Sequence, residues 1–184
     1  IDLRELSLPS KKFFQSQDIE QSPTPYSSRT QLLEVEHRSN PLNIQIWEPS
    51  SIGPVRSSWL VFMPGLGGSR EHFVWLAKNL SANGWPVVLL QHPGSDSKAL
   101  QQLIEGASSA PGAEVLPDRL KDLFAVIDAQ KTGQIQVPYE RLVLMGHSLG
   151  SLTAFLAAGA IPIEGLSSRC DEALDALSLT NLSQ

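Results

Sequence analysis

The stretch Leu142-Val143-Leu144-Met145-Gly146-His147-Ser148-Leu149-Gly150 decides how the rest of the chain is read. Four apolar residues suit a buried strand, and Gly146-His147-Ser148-Leu149-Gly150 follows as a G-x-S-x-G pattern. Leu149 to Ala160 then reads as a buried helix. Three fixed residues match by chance too easily to carry an assignment alone; the strand before and the helix after give them meaning. In that setting Ser148 occupies the tip of a sharp, strained turn that lifts its hydroxyl clear of the sheet. Glycines two before and two after it let strand and helix approach without a side-chain collision. The Leu149 amide is left pointing to where an oxyanion would form.

A second glycine cluster lies upstream. Trp59-Leu60-Val61-Phe62-Met63 is an unbroken apolar run, as expected of a central strand covered on both faces. It ends in Pro64-Gly65-Leu66-Gly67-Gly68-Ser69, which places flexible backbone at the carboxyl edge of a sheet, where α/β proteins bind ligands. A nucleotide-binding loop is the rival reading, but the last glycine of G-x-G-x-x-G is missing and no Walker lysine follows. The Leu66 N–H is the better candidate for a second oxyanion donor. Pro86 to Gln91 is a further buried strand, and His92-Pro93-Gly94-Ser95-Asp96 follows at the same edge. Gly65, Gly67, His92 and His147 are therefore candidates to line a pocket.

The flanks complete an alternating pattern. Gln31 to His37 and Leu42 to Pro49 alternate apolar with polar, with Asn40-Pro41 as the turn, and predict an antiparallel hairpin at the sheet edge. Arg70 to Asn83 and Pro117 to Gln130 carry apolar residues at helical spacing. Residues 97–115 are small and polar and read as a surface excursion. Residues 163–184 read as a helix, Asp171 to Leu177, with a frayed tail. Strands alternating with helices predict an α/β fold with a mostly parallel sheet. Residues 1–29, polar and broken by Pro9, Pro23 and Pro25, read as an extended arm, and 30–184 as the domain.

Composition narrows the function. The 184 residues are 41% hydrophobic and 18% charged, an ordinary globular balance. A net charge of −5 with no basic cluster argues against nucleic acid as partner. The single Cys170 excludes an internal disulfide and any multi-cysteine metal site. Pro64, Pro86 and Pro162 interrupt the apolar runs before membrane-spanning length, and residues 1–30 hold no signal-peptide core, which leaves the compartment open.

The segments Met63 to Gly68, Gln91 to Ser95 and Gly146 to Gly150, in that order, resemble the α/β-hydrolase fold. More narrowly, they are similar to dienelactone-hydrolase-like proteins related to the platelet-activating-factor acetylhydrolases, over about Leu42 to Gly159. The resemblance implies a serine ester hydrolase with Ser148 as nucleophile, the Leu66 and Leu149 amides as oxyanion hole, no cofactor or metal, and a small-molecule or lipid ester as substrate. Pro64 stands where that family's oxyanion loop has histidine. The fold's acid and histidine follow the serine, whereas His37, His72, His92 and His147 all precede or adjoin it here. Asp171 and Asp175 fit the acid position poorly. The expectation is the N-terminal portion of a hydrolase, with an open sheet edge that a protein partner would cover; the alternative is a hydrolase-like binding module without catalysis.

Overall fold

The computed structural model of the protein describes residues 26–49, 54–106, 113–137 and 141–160. The expected helix at 171–177, the Asp171 and Asp175 carboxylates and Cys170 lie outside the described residues.

Among the described residues five strands form one sheet: β1 Tyr26–Leu33, β2 Leu42–Pro49, β3 Ser58–Met63, β4 Val87–Leu90 and β5 Arg141–Gly146, in the spatial order β1-β2-β4-β3-β5. β3 pairs in parallel with both β4 and β5, as the three apolar runs predict. β1 and β2 form the antiparallel hairpin, and β2 joins it to β4, also antiparallel. Four α-helices flank the sheet among the described residues: α1 Val74–Ala82, α2 Ser97–Ile104, α3 Leu116–Lys131 and α4 Leu149–Ala157.

The period-two alternation of the strands splits the core into two layers. Trp59, Val61 and Met63 of β3 join Ile44, Ile46, Val88 and Leu90 beneath α3 and α4. Leu60 and Phe62 point the other way and join Trp47, Val87, Leu89 and Ala77 of α1. Burial on both sides explains why β3 and β4 read as continuous apolar runs. Because β3, β4 and β5 run parallel, the segments after them share one edge of the sheet.

Several boundaries differ from the sequence reading. β1 starts at Tyr26, inside the supposed arm, because the Tyr26 ring packs against Trp47 at 5.5 Å and pairing continues to Pro49. Residues 34–37 leave the strand for the connection to β2. Arg70–Phe73 forms a 3-10 turn before α1, with Phe73 held against Phe62 at a ring separation of 4.5 Å. The 97–115 excursion contains α2, nucleated by Asp96, whose carboxylate accepts the Ala99 N–H at 3.1 Å. α4 ends at Ala157 and is not buried all round: Leu152 and Phe155 are exposed.

Candidate active site

Ser148 has φ 52° and ψ −120°, the one positive φ at a non-glycine position among the described residues. Such a conformation costs about 1–3 kcal/mol and persists only where its surroundings enforce it. They do so here from both sides. The His147 N–H donates to the Met63 carbonyl at 3.1 Å, tying the turn to the end of β3. Gly150 N–H bonds the His147 carbonyl at 2.9 Å, and Ser151 Oγ donates to the Gly146 carbonyl at 2.7 Å. A Cβ on Gly146 would run into the Gly150 backbone, and one on Gly150 into the Met63 carbonyl. Only glycine permits so close an approach of strand and helix. Ser148 is exposed, and the Leu149 N–H opens α4, where first-turn amides lack helical partners.

The loop after β3 presses on this turn. A Cβ on Gly65 would stand 2.8 Å from the Ser148 Cβ and 3.3 Å from His147 Nδ1. Two hydrogen bonds fold the loop: Gly68 N–H to the Gly65 carbonyl at 3.0 Å and Gly67 N–H to the Ser95 carbonyl at 2.9 Å. In a trans peptide the C=O and N–H point in opposite directions. With the Gly65 carbonyl turned inward to Gly68, the Leu66 N–H of the same peptide is directed out of the turn. Gly67, at φ 71°, abuts Leu100 of α2. The fold thus gathers Gly65, Leu66, Gly67, His147, Ser148 and Leu149 at one edge.

His92 does not belong with them. It is buried, 2% exposed, so it lines no open pocket, and its Nδ1 bonds Asp122 Oδ2 at 2.9 Å. The carboxylate can only accept, so His92 donates from Nδ1. The same Asp122 accepts from His37 Nε2 at 2.7 Å and from Arg38 Nε and Nη2 at 2.9 and 2.8 Å. Burial opposes the charge on Asp122, but the His92 and Arg38 hydrogen bonds and Arg38's charge overcome it and hold the carboxyl at about 2. Burial, reinforced by the Arg119 charge, pushes His92 down to about 4 against the pull of Asp122, so the ring is neutral near pH 7. The remaining histidines are engaged elsewhere: His72 Nδ1 accepts from the Ser69 N–H at 3.4 Å, and the His147 ring lies 5.7 Å from Phe73. Among the described residues none of the four hydrogen-bonds the Ser148 hydroxyl.

Arg119 is the residue sequence reading missed. It is 1% exposed and spans three elements. Nη2 donates to the Pro64 carbonyl at 2.5 Å, Nη1 to Ser95 Oγ at 2.6 Å and Nε to Thr153 Oγ1 at 3.0 Å. Burial lowers its pKa to about 10, which still leaves it charged. A signal did exist: Leu116, Arg119, Leu120 and Leu123 fall at i, i+3, i+4 and i+7, so Arg119 sits in the apolar stripe of α3. A cleft of about 700 Å³ lies away from this edge, lined by Leu33, His37, Phe124 and Asp128. Among the described residues no group of three or more side chains could hold a metal ion.

A family model of the alpha/beta hydrolase fold matches residues 58–171, more than half of the chain. The chain belongs to the α/β-hydrolase fold family. Solved structures of similar fold include a ferulic acid esterase from Streptomyces cinnamoneus, at 19% identity and a TM-score of 0.58 over 74% of this chain and 56% of that one. Another is a provisionally assigned dienelactone hydrolase from Klebsiella pneumoniae, at 19% identity and 0.52 over 73% and 55%. A third is an α/β serine hydrolase without a lid from Xanthomonas campestris, at 20% identity and 0.51 over 74% and 57%. No curated protein matches the sequence. The chain spans a little over half the length of each of these three structures. Several of the similar folds belong to esterases, and at these identities the likeness is one of fold; the narrower likeness to platelet-activating-factor acetylhydrolases remains a resemblance of sequence. No helix among the described residues is long and apolar enough to cross a membrane.

Proposed function

We propose that the chain carries the nucleophile and oxyanion hole of a serine ester hydrolase acting on small-molecule or lipid carboxylic esters. The observation that supports this most is the strained Ser148 turn seated against the Gly65–Gly68 loop. Ser148 Oγ attacks the ester carbonyl carbon while its proton passes to a general base. The C–O bond to the alcohol then breaks, and the base returns the proton to the departing alcohol. Water cleaves the acyl-enzyme by the same route. The Leu66 and Leu149 N–H groups hold the tetrahedral oxyanion, each worth about 3–4 kcal/mol of barrier. This chemistry needs no metal or cofactor.

The base is the part that separates two readings. None of the four histidines hydrogen-bonds Ser148 among the described residues. His37 Nε2 and His92 Nδ1 bond Asp122, His92 being buried with its Nε2 unpartnered. His72 Nδ1 bonds the Ser69 amide, and the His147 ring lies against Phe73. In an active hydrolase the base would come from a histidine beyond these 184 residues. With no such histidine, the same edge would serve as a non-catalytic binding module. The test is hydrolysis of an activated p-nitrophenyl ester by the full-length protein and by residues 1–184. Turnover by the full-length form, lost in Ser148→Ala, supports the hydrolase. Turnover that survives Ser148→Ala refutes it, and a full-length protein that neither hydrolyses esters nor labels at Ser148 supports the binding module.

A further inference from the structure

We propose that Arg119 is a positioning residue that sets the direction of the Leu66 oxyanion donor and braces Leu149, which carries the other. The inference rests on the oxyanion role of Leu66 and Leu149 given above. Its basis is the fork of three hydrogen bonds from one buried guanidinium. Nη2 fixes the Pro64 carbonyl, one residue before the peptide that bears the Leu66 N–H. Nη1 fixes the Ser95 hydroxyl, and the Ser95 carbonyl receives the Gly67 N–H, one residue after Leu66. The Leu66 amide is therefore pinned from both sides, and the Gly65–Gly68 bond settles its orientation. Nε reaches Thr153 Oγ1, and that hydroxyl donates in turn to the Leu149 carbonyl at 2.9 Å. The fork ties the residues of both donors to the loop after β4.

The residue type fits the task. A planar guanidinium presents donors in a fixed geometry, whereas a lysine ammonium is a point charge on a flexible stem and would not span the three acceptors in the same arrangement. A buried cation needs compensation, and Asp122 lies one turn along α3, where its charge favours the guanidinium. Arg119 is buried and its hydrogen bonds go to Pro64, Ser95 and Thr153, not to Ser148, so its effect reaches the reaction through backbone direction.

The test compares Arg119→Lys and Ser95→Ala with the wild type in the full-length protein, using a matched pair of oxoester and thionoester substrates. Sulfur is the poorer acceptor, so the oxoester-to-thionoester ratio of kcat/KM reports the oxyanion hydrogen bonds themselves. The expected result is a fall in oxoester kcat of about 10–100-fold in Arg119→Lys. KM should stay within about threefold, and the rate ratio should shrink. Ser95→Ala, which keeps the carbonyl bond to Gly67, shows a smaller change in the same direction and guards against an Arg119 variant that does not fold. Folded variants whose ratio matches wild type would overturn the proposal while leaving Ser148 as nucleophile. A wild type that does not react through Ser148 would overturn the hydrolase reading, and this proposal with it.

Discussion

At the scale of single residues, strain and buried charge are concentrated at the carboxyl edge of the sheet. The Ser148 turn exists because Gly146, Gly150 and Gly65 lack side chains where a Cβ would meet backbone or the serine. Gly150→Ala is therefore expected to destabilise the fold by about 3 kcal/mol, since backbone, unlike a flexible side chain, cannot yield. A thermal midpoint unchanged from wild type would contradict the geometry. His92 makes a second prediction. Its folded pKa, about 4, lies below the ordinary 6.5, so the unfolded chain binds a proton that the folded one refuses. Stability from this group is complete above pH 6.5 and is lost as pH falls toward 4, by roughly 3 kcal/mol. Asp122, depressed to about 2, adds a loss only between its ordinary 3.8 and that value. Urea unfolding at pH 7.5 and pH 4.5 should show the His92 loss in wild type and not in His92→Gln; equal losses in both would place the titration elsewhere. The elbow was legible at this scale because glycine and serine declare their backbone needs locally. The His37–Asp122–His92 network was not, since residues 30 to 85 positions apart meet only in the folded chain.

Elements were legible to the extent that burial imposed a period. β3 and β4, covered on both faces, read as apolar runs, and the β1–β2 hairpin read from the alternation of β2. The small, polar 97–115 segment hid α2 because the helix is short and capped at Asp96, although Ala99, Leu100, Leu103 and Ile104 recur at helical spacing and Leu100 packs at Gly67. α4 misled in the opposite sense. Its composition reads as buried, yet Phe155 is 63% exposed and β5 is only half-buried. Among the described residues β5 pairs with β3 alone. Hydrogen exchange on residues 1–184 should then find the β3 amides slowest and the outward amides of β5 fast. Uniform protection along β5 would mean that another strand or a partner pairs with that edge.

For the molecule as a whole, the order β1-β2-β4-β3-β5 brings three loops to one edge, and the strand-loop pattern was enough to foresee that convergence. The general base was beyond the reach of the sequence, because all four histidines precede or adjoin Ser148 and, among the described residues, none hydrogen-bonds its hydroxyl. The prediction at this scale is that residues 1–184 alone are catalytically feeble, while a longer form is a serine esterase. Without a base, the oxyanion hole and binding would leave roughly 10³–10⁴-fold over water. Brisk turnover by the short chain, abolished in Ser148→Ala, would instead make one of the upstream histidines the base. The central claim is the nucleophilic role of Ser148, and fluorophosphonate labelling of the full-length protein followed by peptide mapping tests it most directly. The expected result is a single adduct on Ser148, absent in a folded Ser148→Ala variant. An adduct on another serine, or none at all under conditions that label a known serine esterase, would contradict it.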